Sequence, residues 1–128
     1  MTDKEMLCKK GINLYLFDNN IWNRNGIYIK EINTIFINRE LSDKEIHKVL
    51  LHELGHIDHL PSIYEIAKIR CENEANRNMI HHLVKDAVSS LEDVHDFNYL
   101  NFMKYHNLKT VTDEIMVMEE YYGLVAGL

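Results

Sequence analysis

The sequence contains few of the features that mark secreted, membrane-spanning or nucleic-acid-binding proteins. Its two cysteines, Cys8 and Cys71, lie far apart, which excludes a dense disulfide framework and favours reduced thiols. No run approaches the ~20 apolar residues that a transmembrane helix needs, and the first eleven residues lack the apolar segment of a signal peptide. The net charge of −6 disfavours a nucleic-acid-binding module, which usually presents a basic patch. We therefore expect a cytoplasmic protein with no membrane partner and no direct nucleic-acid partner.

The composition is typical of one globular domain. Of the 128 residues, 46% are apolar and 27% are charged, so folding can bury a real core without covalent staples. We predict a single domain over 1–128 with three segments. These are an N-terminal helix and sheet over 1–41, central helices over 42–90, and C-terminal helices over 91–128.

The first segment predicts one helix and three strands. Thr2 and Glu5 form a capping box, and Gly11 is a typical residue to end the short helix that follows. Three runs rich in β-branched and aromatic residues then predict strands: INLYLF at 12–17, GIYIK at 26–30 and NTIFIN at 33–38. Because the connections are short, we expect a three-stranded, mostly antiparallel sheet.

The remainder of the chain predicts helices. Ser42 and Glu45 form a second capping box, after which apolar residues recur at helical spacing until the only proline, Pro61, where we expect the helix to end. SIYE at 62–65 is similar to a third cap that opens a long helix to about residue 88. Further helices are predicted over 97–108 and 112–125. A helix, a small sheet and then helices indicate an α+β fold.

The second predicted helix carries the sequence HELGH at 52–56. His52 and His56, four residues apart, place two imidazoles on one helix face, from which both can bind one Zn²⁺ at ~2.0–2.1 Å. Glu53 is rotated by ~100° from His52, so it flanks the metal, where it can take a proton from water and pass it to a leaving amine. Gly55 disfavours a helix interior by ~1 kcal/mol, which indicates close approach of another segment or of substrate. This is the HExxH motif of zinc hydrolases; the alternative is two packed histidines without a metal.

A catalytic zinc site also needs a third protein ligand and an open fourth position. Glu72 and Glu74, on the next predicted helix, are both candidates. The helical repeat puts Glu72 on the face of Ala75 and Asn76, where the small alanine permits close packing and Asn76 can orient a histidine ring. Glu74 is turned ~100° away from Ala75. We therefore prefer Glu72 as the third ligand and keep Glu74 as the alternative. In the non-functional interpretation, both glutamates lie on a solvated helix face and pair with neighbouring arginines.

His59 is a further candidate ligand, because it follows His56 by three residues. Three ligands from one straight helix enclose a metal poorly, so we expect His59 at the edge of the site or in solvent. Four more side chains are candidates to donate a hydrogen bond to a developing oxyanion: His81, His82, Tyr105 and His106.

The segment INRELSDKEIHKVLLHELGHIDH, followed by ENEANRNMI, resembles the ImmA/IrrE family of metallopeptidases, and the resemblance covers roughly residues 12–85. Members occur in phages, mobile elements and bacterial stress-response systems, where they cleave a helix-turn-helix repressor and so derepress genes. The resemblance implies a zincin-like, metallopeptidase-like domain with zinc ligands at His52, His56 and a glutamate of ENEAN, and with Glu53 as the base. The chain departs from the family pattern after Arg77, where Asn78 and Met79 follow.

Two functions follow from these observations. The first is a zinc-dependent endopeptidase whose cofactor is Zn²⁺ and whose protein substrate is a helix-turn-helix repressor of a phage or mobile element. The second is a non-catalytic, metal-stabilised regulatory module that binds a repressor. A closed shell of four protein ligands, with His59 as the fourth, would favour the second.

Overall fold

The computed structural model describes residues 2–126. The chain divides into two compact units, Met1–Ala75 and Asn76–Leu128. Within the described residues, no helix is both long and apolar enough to cross a membrane. The helices and strands, in chain order, are α1 (Asp3–Lys10), β1 (Asn13–Phe17), β2 (Gly26–Ile29), β3 (Thr34–Asn38), α2 (Asp43–Leu54), α3 (Pro61–Ile66), α4 (Lys68–Ser89), α5 (Tyr99–Tyr105) and α6 (Val111–Val125). This architecture confirms the α+β prediction.

Two of the helix starts follow the predicted capping boxes. The Thr2 hydroxyl accepts a hydrogen bond from the backbone N–H of Glu5 at 3.2 Å, and the Ser42 hydroxyl accepts one from Glu45 at 3.2 Å. Helix α1 ends at Gly11, whose φ of 68° lies in the left-handed region that glycine adopts without strain. The local sequence therefore defines where α1 begins and ends and where α2 begins.

The sheet is mixed, with strand order β1-β3-β2. β1 pairs with β3 in parallel, and β2 pairs with β3 antiparallel. The expectation of a mostly antiparallel sheet therefore holds for one of the two pairings. The short turn at Lys30–Ile32, with Asn33 at φ 47°, makes β2 and β3 neighbours, whereas β1 reaches the far side of β3 across the whole β2 segment. Because the connection from β1 to β3 contains the whole of β2, it is long enough for β1 and β3 to pair in parallel.

The core of the first unit lies between β3 and α2. Buried Ile35 and Ile37 of β3 pack in one cluster with Leu50 and Leu54 of α2, together with residues of the N-terminal segment. Burying each such side chain contributes about 1.5–3 kcal/mol. Because Leu50 and Leu54 fix the inward face of α2, the intervening His52 is held on another face of the helix.

The region around the only proline differs from the prediction. Helix α2 ends at Leu54, and the N–H of Gly55 bonds to the carbonyls of Leu51 and His52 at 3.3 and 3.0 Å. Gly55 is therefore a helix cap and not an interior residue. Pro61 begins α3 instead of ending α2, because its fixed φ and missing N–H suit the first helical position.

The long helix expected over 62–88 is instead two helices. Leu60 is the N-cap of α3 and makes no side-chain capping bond, so the predicted cap at Ser62 is wrong. Ala67, at φ −134° and ψ 42°, separates α3 from α4. The break lies between Tyr64 and Glu72, and both residues belong to the site described below.

The second unit contains α5 and α6, both close to the predicted helices. Asn98 caps α5, and Thr110 caps α6 by accepting from the N–H of Asp113 at 3.0 Å. Phe97 and Tyr121 stack with ring centroids 4.7 Å apart. These interactions stabilise the C-terminal helices locally.

Candidate functional site

The two histidines of HELGH converge at the C-terminal end of α2. His52 lies in the last turn of the helix, and His56 follows in the turn after Gly55. Their Nε2 atoms are 3.3 Å apart, and the rings meet edge to face with centroids separated by 5.0 Å. Two nitrogens at this distance point towards a common centre.

Glu72 of α4 completes this cluster. Its Oε2 lies 2.8 Å from His56 Nε2 and 3.2 Å from His52 Nε2. Ligands on a tetrahedron with metal bonds of ~2.0–2.1 Å are ~3.3 Å apart. Two of the observed separations, 3.2 and 3.3 Å, are close to this value, and the third, 2.8 Å, is shorter. Two nitrogens and one carboxylate oxygen are also the donors that zinc prefers. The residues present therefore fit a zinc ion, and among residues 2–126 they are the one grouping of metal-ligating side chains that converges in this way.

The second oxygen of Glu72 is held by a tyrosine that the sequence did not single out. The Tyr64 hydroxyl donates a hydrogen bond to Glu72 Oε1 at 3.1 Å, and the tyrosine ring packs against His56 with centroids 5.7 Å apart. Burial and the adjacent Glu72 carboxylate raise the pKa of Tyr64, so the hydroxyl stays protonated. With Oε1 engaged by Tyr64, Oε2 is the oxygen that faces the two imidazoles.

The protonation of the cluster suits metal ligands. Burial lowers the pKa of His56 below its usual value, so the imidazole is neutral near pH 7. Burial alone would raise the pKa of Glu72, but His56, His52 and the Tyr64 hydrogen bond lower it, and the net shift is downward. A neutral imidazole and an ionised carboxylate are the forms that bind cations.

Glu53 lies beside the cluster and is not a member of it. One carboxylate oxygen, Oε2, accepts a hydrogen bond from the backbone N–H of Tyr28 at 3.1 Å. That N–H is available because β2 is an edge strand. Burial raises the pKa of Glu53, the nearby Glu72 raises it further, and the opposing effect of His52 does not cancel the shift. The result is a proton acceptor with more basicity than an exposed glutamate.

Glu74, the alternative third ligand, points elsewhere. Its Oε2 is 2.9 Å from His59 Nε2, and its Oε1 is 3.6 Å from Arg70 Nε. Its pKa is lowered, first by the His59 hydrogen bond. His59 in turn contacts Nδ1 of His56, on the side of the ring opposite Nε2. Neither residue adds a ligand atom to the cluster of His52, His56 and Glu72.

The cluster opens into a cleft of about 300 Å³ within the first unit. Glu53, His56 and Glu72 line it, so the candidate base and two of the candidate ligands share one solvent-accessible space. Arg24 and Lys30 contribute positive charge to the same lining. The arrangement can hold a cation and a small substrate segment beside the half-buried carboxylate of Glu53.

The candidates for oxyanion stabilisation belong to the second unit. His81 Nδ1 contacts Glu120 at 2.6 Å, and its ring lies 5.2 Å from that of His82. The proposed roles of these residues, and of Tyr105 and His106, stay predictions. Tyr64 of α3 and the N–H of Tyr28 of β2 were missed because no periodicity links them to HELGH, and only the tertiary fold brings them to it.

The sequence matches the Peptidase M78 family, described as the IrrE N-terminal-like domain, over residues 9–118. Searches of curated proteins and of solved structures found no match. The family match spans most of the 128 residues and includes HELGH and Glu72, which confirms the resemblance read from the sequence. The chain belongs to the ImmA/IrrE family of metallopeptidases.

Proposed function

We propose that this chain is a zinc-dependent endopeptidase in which His52, His56 and Glu72 hold the metal and Glu53 is the general base. The observation that carries the proposal is the convergence of two Nε2 atoms and one carboxylate oxygen, 2.8–3.3 Å apart, beside a half-buried glutamate. A metallopeptidase family agrees with this donor set.

Zinc is favoured over harder cations by the two imidazole ligands. Two histidines and one glutamate form a known catalytic zinc set, which leaves one coordination position for water or substrate. A Zn²⁺ ion held there would polarise a peptide carbonyl and make water acidic, with a pKa of about 7. The cleft beside His56 and Glu72 gives a peptide access to that position.

Glu53 supplies the proton transfers that hydrolysis needs. It accepts a proton from the attacking water and returns it to the amide nitrogen of the leaving segment, so the carboxylate is regenerated after each turnover. Its raised pKa makes it a better proton acceptor than an exposed glutamate. The Tyr28 N–H holds one oxygen of the carboxylate in place, so the position of the base is set by the edge strand.

The alternative of a non-catalytic, metal-stabilised module needs a closed shell of four protein ligands. Within the described residues, three side chains supply converging ligand atoms, and His59 faces the opposite side of the His56 ring. An open position favours catalysis over a structural role. We therefore prefer the endopeptidase.

We further propose that the substrate is a helix-turn-helix repressor of a phage or mobile element, whose cleavage derepresses its genes. This choice rests on the family resemblance. A repressor acts on DNA in the cytoplasm, so the proposal carries with it the cytoplasmic location expected from the sequence.

The experiment compares metal-free, zinc-loaded and chelator-treated protein, each incubated with the repressor encoded beside its gene. Mass spectrometry should find two repressor fragments with the zinc-loaded protein alone. If the repressor stays intact while a peptide library is cut, the repressor assignment is wrong. If neither is cut by protein that holds one zinc per chain, the endopeptidase proposal itself fails.

A further inference from the structure

A histidine and a carboxylate lie behind the ring of His56, on the side away from the cluster. His56 Nδ1 is 2.9 Å from His59 Nδ1, and His59 Nε2 is 2.9 Å from Glu74 Oε2. The backbone N–H of His59 also bonds to the carbonyl of His56 at 2.9 Å, which fixes the turn that carries both residues. The three side chains therefore form one continuous row of hydrogen bonds.

The direction of these bonds follows from the chemistry at the outer end. An ionised Glu74 can only accept, so His59 Nε2 must carry a proton and donate it. A neutral His59 then has a lone pair on Nδ1, which can only accept. In that tautomer of His59, the proton between the two rings belongs to His56 Nδ1. This leaves the lone pair of His56 on Nε2, the atom 2.8 Å from Glu72 and 3.3 Å from His52 Nε2.

Burial and charge favour this arrangement. The side chain of His59 is only 12% exposed, so water competes little for its nitrogens, whereas Glu74 is 54% exposed. Arg70 lies 3.6 Å from the other oxygen of Glu74 and favours its ionised form. The row thus runs from a solvated carboxylate to the mostly buried ring of His56.

We propose that His59 and Glu74 are positioning residues, which hold His56 in the tautomer and orientation that direct Nε2 to the metal. The inference rests on the proposed zinc site. It assigns a role to His59 and Glu74, neither of which supplies a ligand atom to the cluster. Partners of this kind raise the basicity of a ligating histidine, and their loss typically lowers metal affinity about 10-fold to 100-fold.

The test uses three variants of the full chain and one control. His59→Phe keeps a planar ring and removes the acceptor, whereas His59→Gln offers a replacement oxygen. Glu74→Gln removes the charge at an exposed position with little risk to folding. Glu65→Gln is the control, since Glu65 is exposed on α3 and does not line the cleft.

Two measurements separate positioning from a general structural effect. Competition with a chromophoric chelator gives the zinc dissociation constant. Nitrogen-15 NMR of the zinc-loaded protein reports the His56 Nδ1 proton and shows whether either nitrogen of His59 is ligated.

We expect His59→Phe to weaken zinc binding about 10-fold to 100-fold and to lose the exchange-protected Nδ1 proton of His56. His59→Gln should recover much of the zinc affinity and of the Nδ1 proton signal. Glu74→Gln should weaken zinc binding by about 10-fold. The control Glu65→Gln should change neither the zinc affinity nor the proton signal.

Unchanged zinc affinity in both His59→Phe and Glu74→Gln would overturn the inference while leaving the zinc site intact, and so would metal-ligated shifts on His59. A wild-type chain without a stoichiometric zinc site would instead refute the proposed function. If His59→Phe fails to fold, Glu74→Gln decides by the same two measurements.

Discussion

Replacing Glu53 by glutamine should slow catalysis sharply and at the same time stabilise the metal-free fold. The carboxylate is held in a buried position that raises its pKa, so its ionised form is destabilised in the folded protein. Glutamine removes the charge and keeps an oxygen that can accept from the Tyr28 N–H. We expect the free energy of unfolding to rise by about 0.5–2 kcal/mol at pH 7. With an unfolding entropy of about 2.1 cal/mol/K per residue over 128 residues, this stabilisation should raise Tm by about 2–7 °C.

The stabilisation should depend on pH with a definite sign. In the unfolded chain the carboxyl of Glu53 titrates near pH ~4.3, and in the folded chain its pKa is higher. The folded state therefore binds the proton more tightly. The corresponding stability of the wild type is fully present below the unfolded pKa and is lost as the pH rises through the folded pKa. The advantage of the Glu53→Gln variant should vanish near pH 4 and grow towards neutral pH.

The assay is urea unfolding of the two metal-free proteins between pH 4 and 8, followed by zinc titration and peptide cleavage. Cleavage should fall by a factor of about 10² to 10⁴, with zinc affinity unchanged. The exposed Glu65→Gln variant is the matched control and should alter none of these quantities. A Glu53→Gln protein that is less stable than wild type at pH 7 would refute the burial argument, and one that cleaves at the wild-type rate would refute the role of Glu53 as base.

Three further substitutions test the ligand geometry and the packing beneath it. Glu72→Gln should weaken zinc binding by more than about 100-fold in chelator competition, since a direct ligand matters more than its partners; affinity within a few-fold of wild type would exclude Glu72 as a ligand. Tyr64→Phe frees Glu72 Oε1 and should lower zinc affinity about 10-fold without changing Tm; an equal affinity would show that Tyr64 does not orient the carboxylate. Gly26→Ala should destabilise the fold by about 1–3 kcal/mol in urea unfolding, because the added Cβ would lie 2.6 Å from Val49 Cγ1 and 3.0 Å from the carbonyl oxygen of Phe36. Adding Val49→Ala should not restore all of that loss, since the backbone contact remains; full restoration would mean that the carbonyl clash is absent.

The cluster was predictable from the sequence because its geometry is local to two helices. The spacing of His52 and His56 places them one turn apart, and the helical repeat sets Glu72 on the face of Ala75, with Glu74 turned away. In the structure Ala75 is fully buried, and Glu72 is the glutamate that reaches the histidines. The ligand roles themselves stay predictions until metal binding is measured.

The parts that were not predicted depend on contacts between distant segments. Pairing of β1 with β3 is decided by which strands meet in the folded core, and no local signal specifies it. The break at Ala67 separates Tyr64 from Glu72 in sequence, and their hydrogen bond forms only in the folded chain. Likewise, the sequence spacing of His59 and Glu74 does not predict their hydrogen bond.

The early end of α2 has an electrostatic consequence. His52 and His56 lie where the helix ends at Leu54, so they face the negative pole of its macrodipole. Such a pole attracts a nearby unit of positive charge by about 0.3–1 kcal/mol when exposed, and a divalent cation gains more. An uninterrupted helix through Pro61 would have moved this pole beyond the histidines. The turn at Gly55 thus keeps this negative pole beside the histidines, where it would add to the attraction of a bound cation.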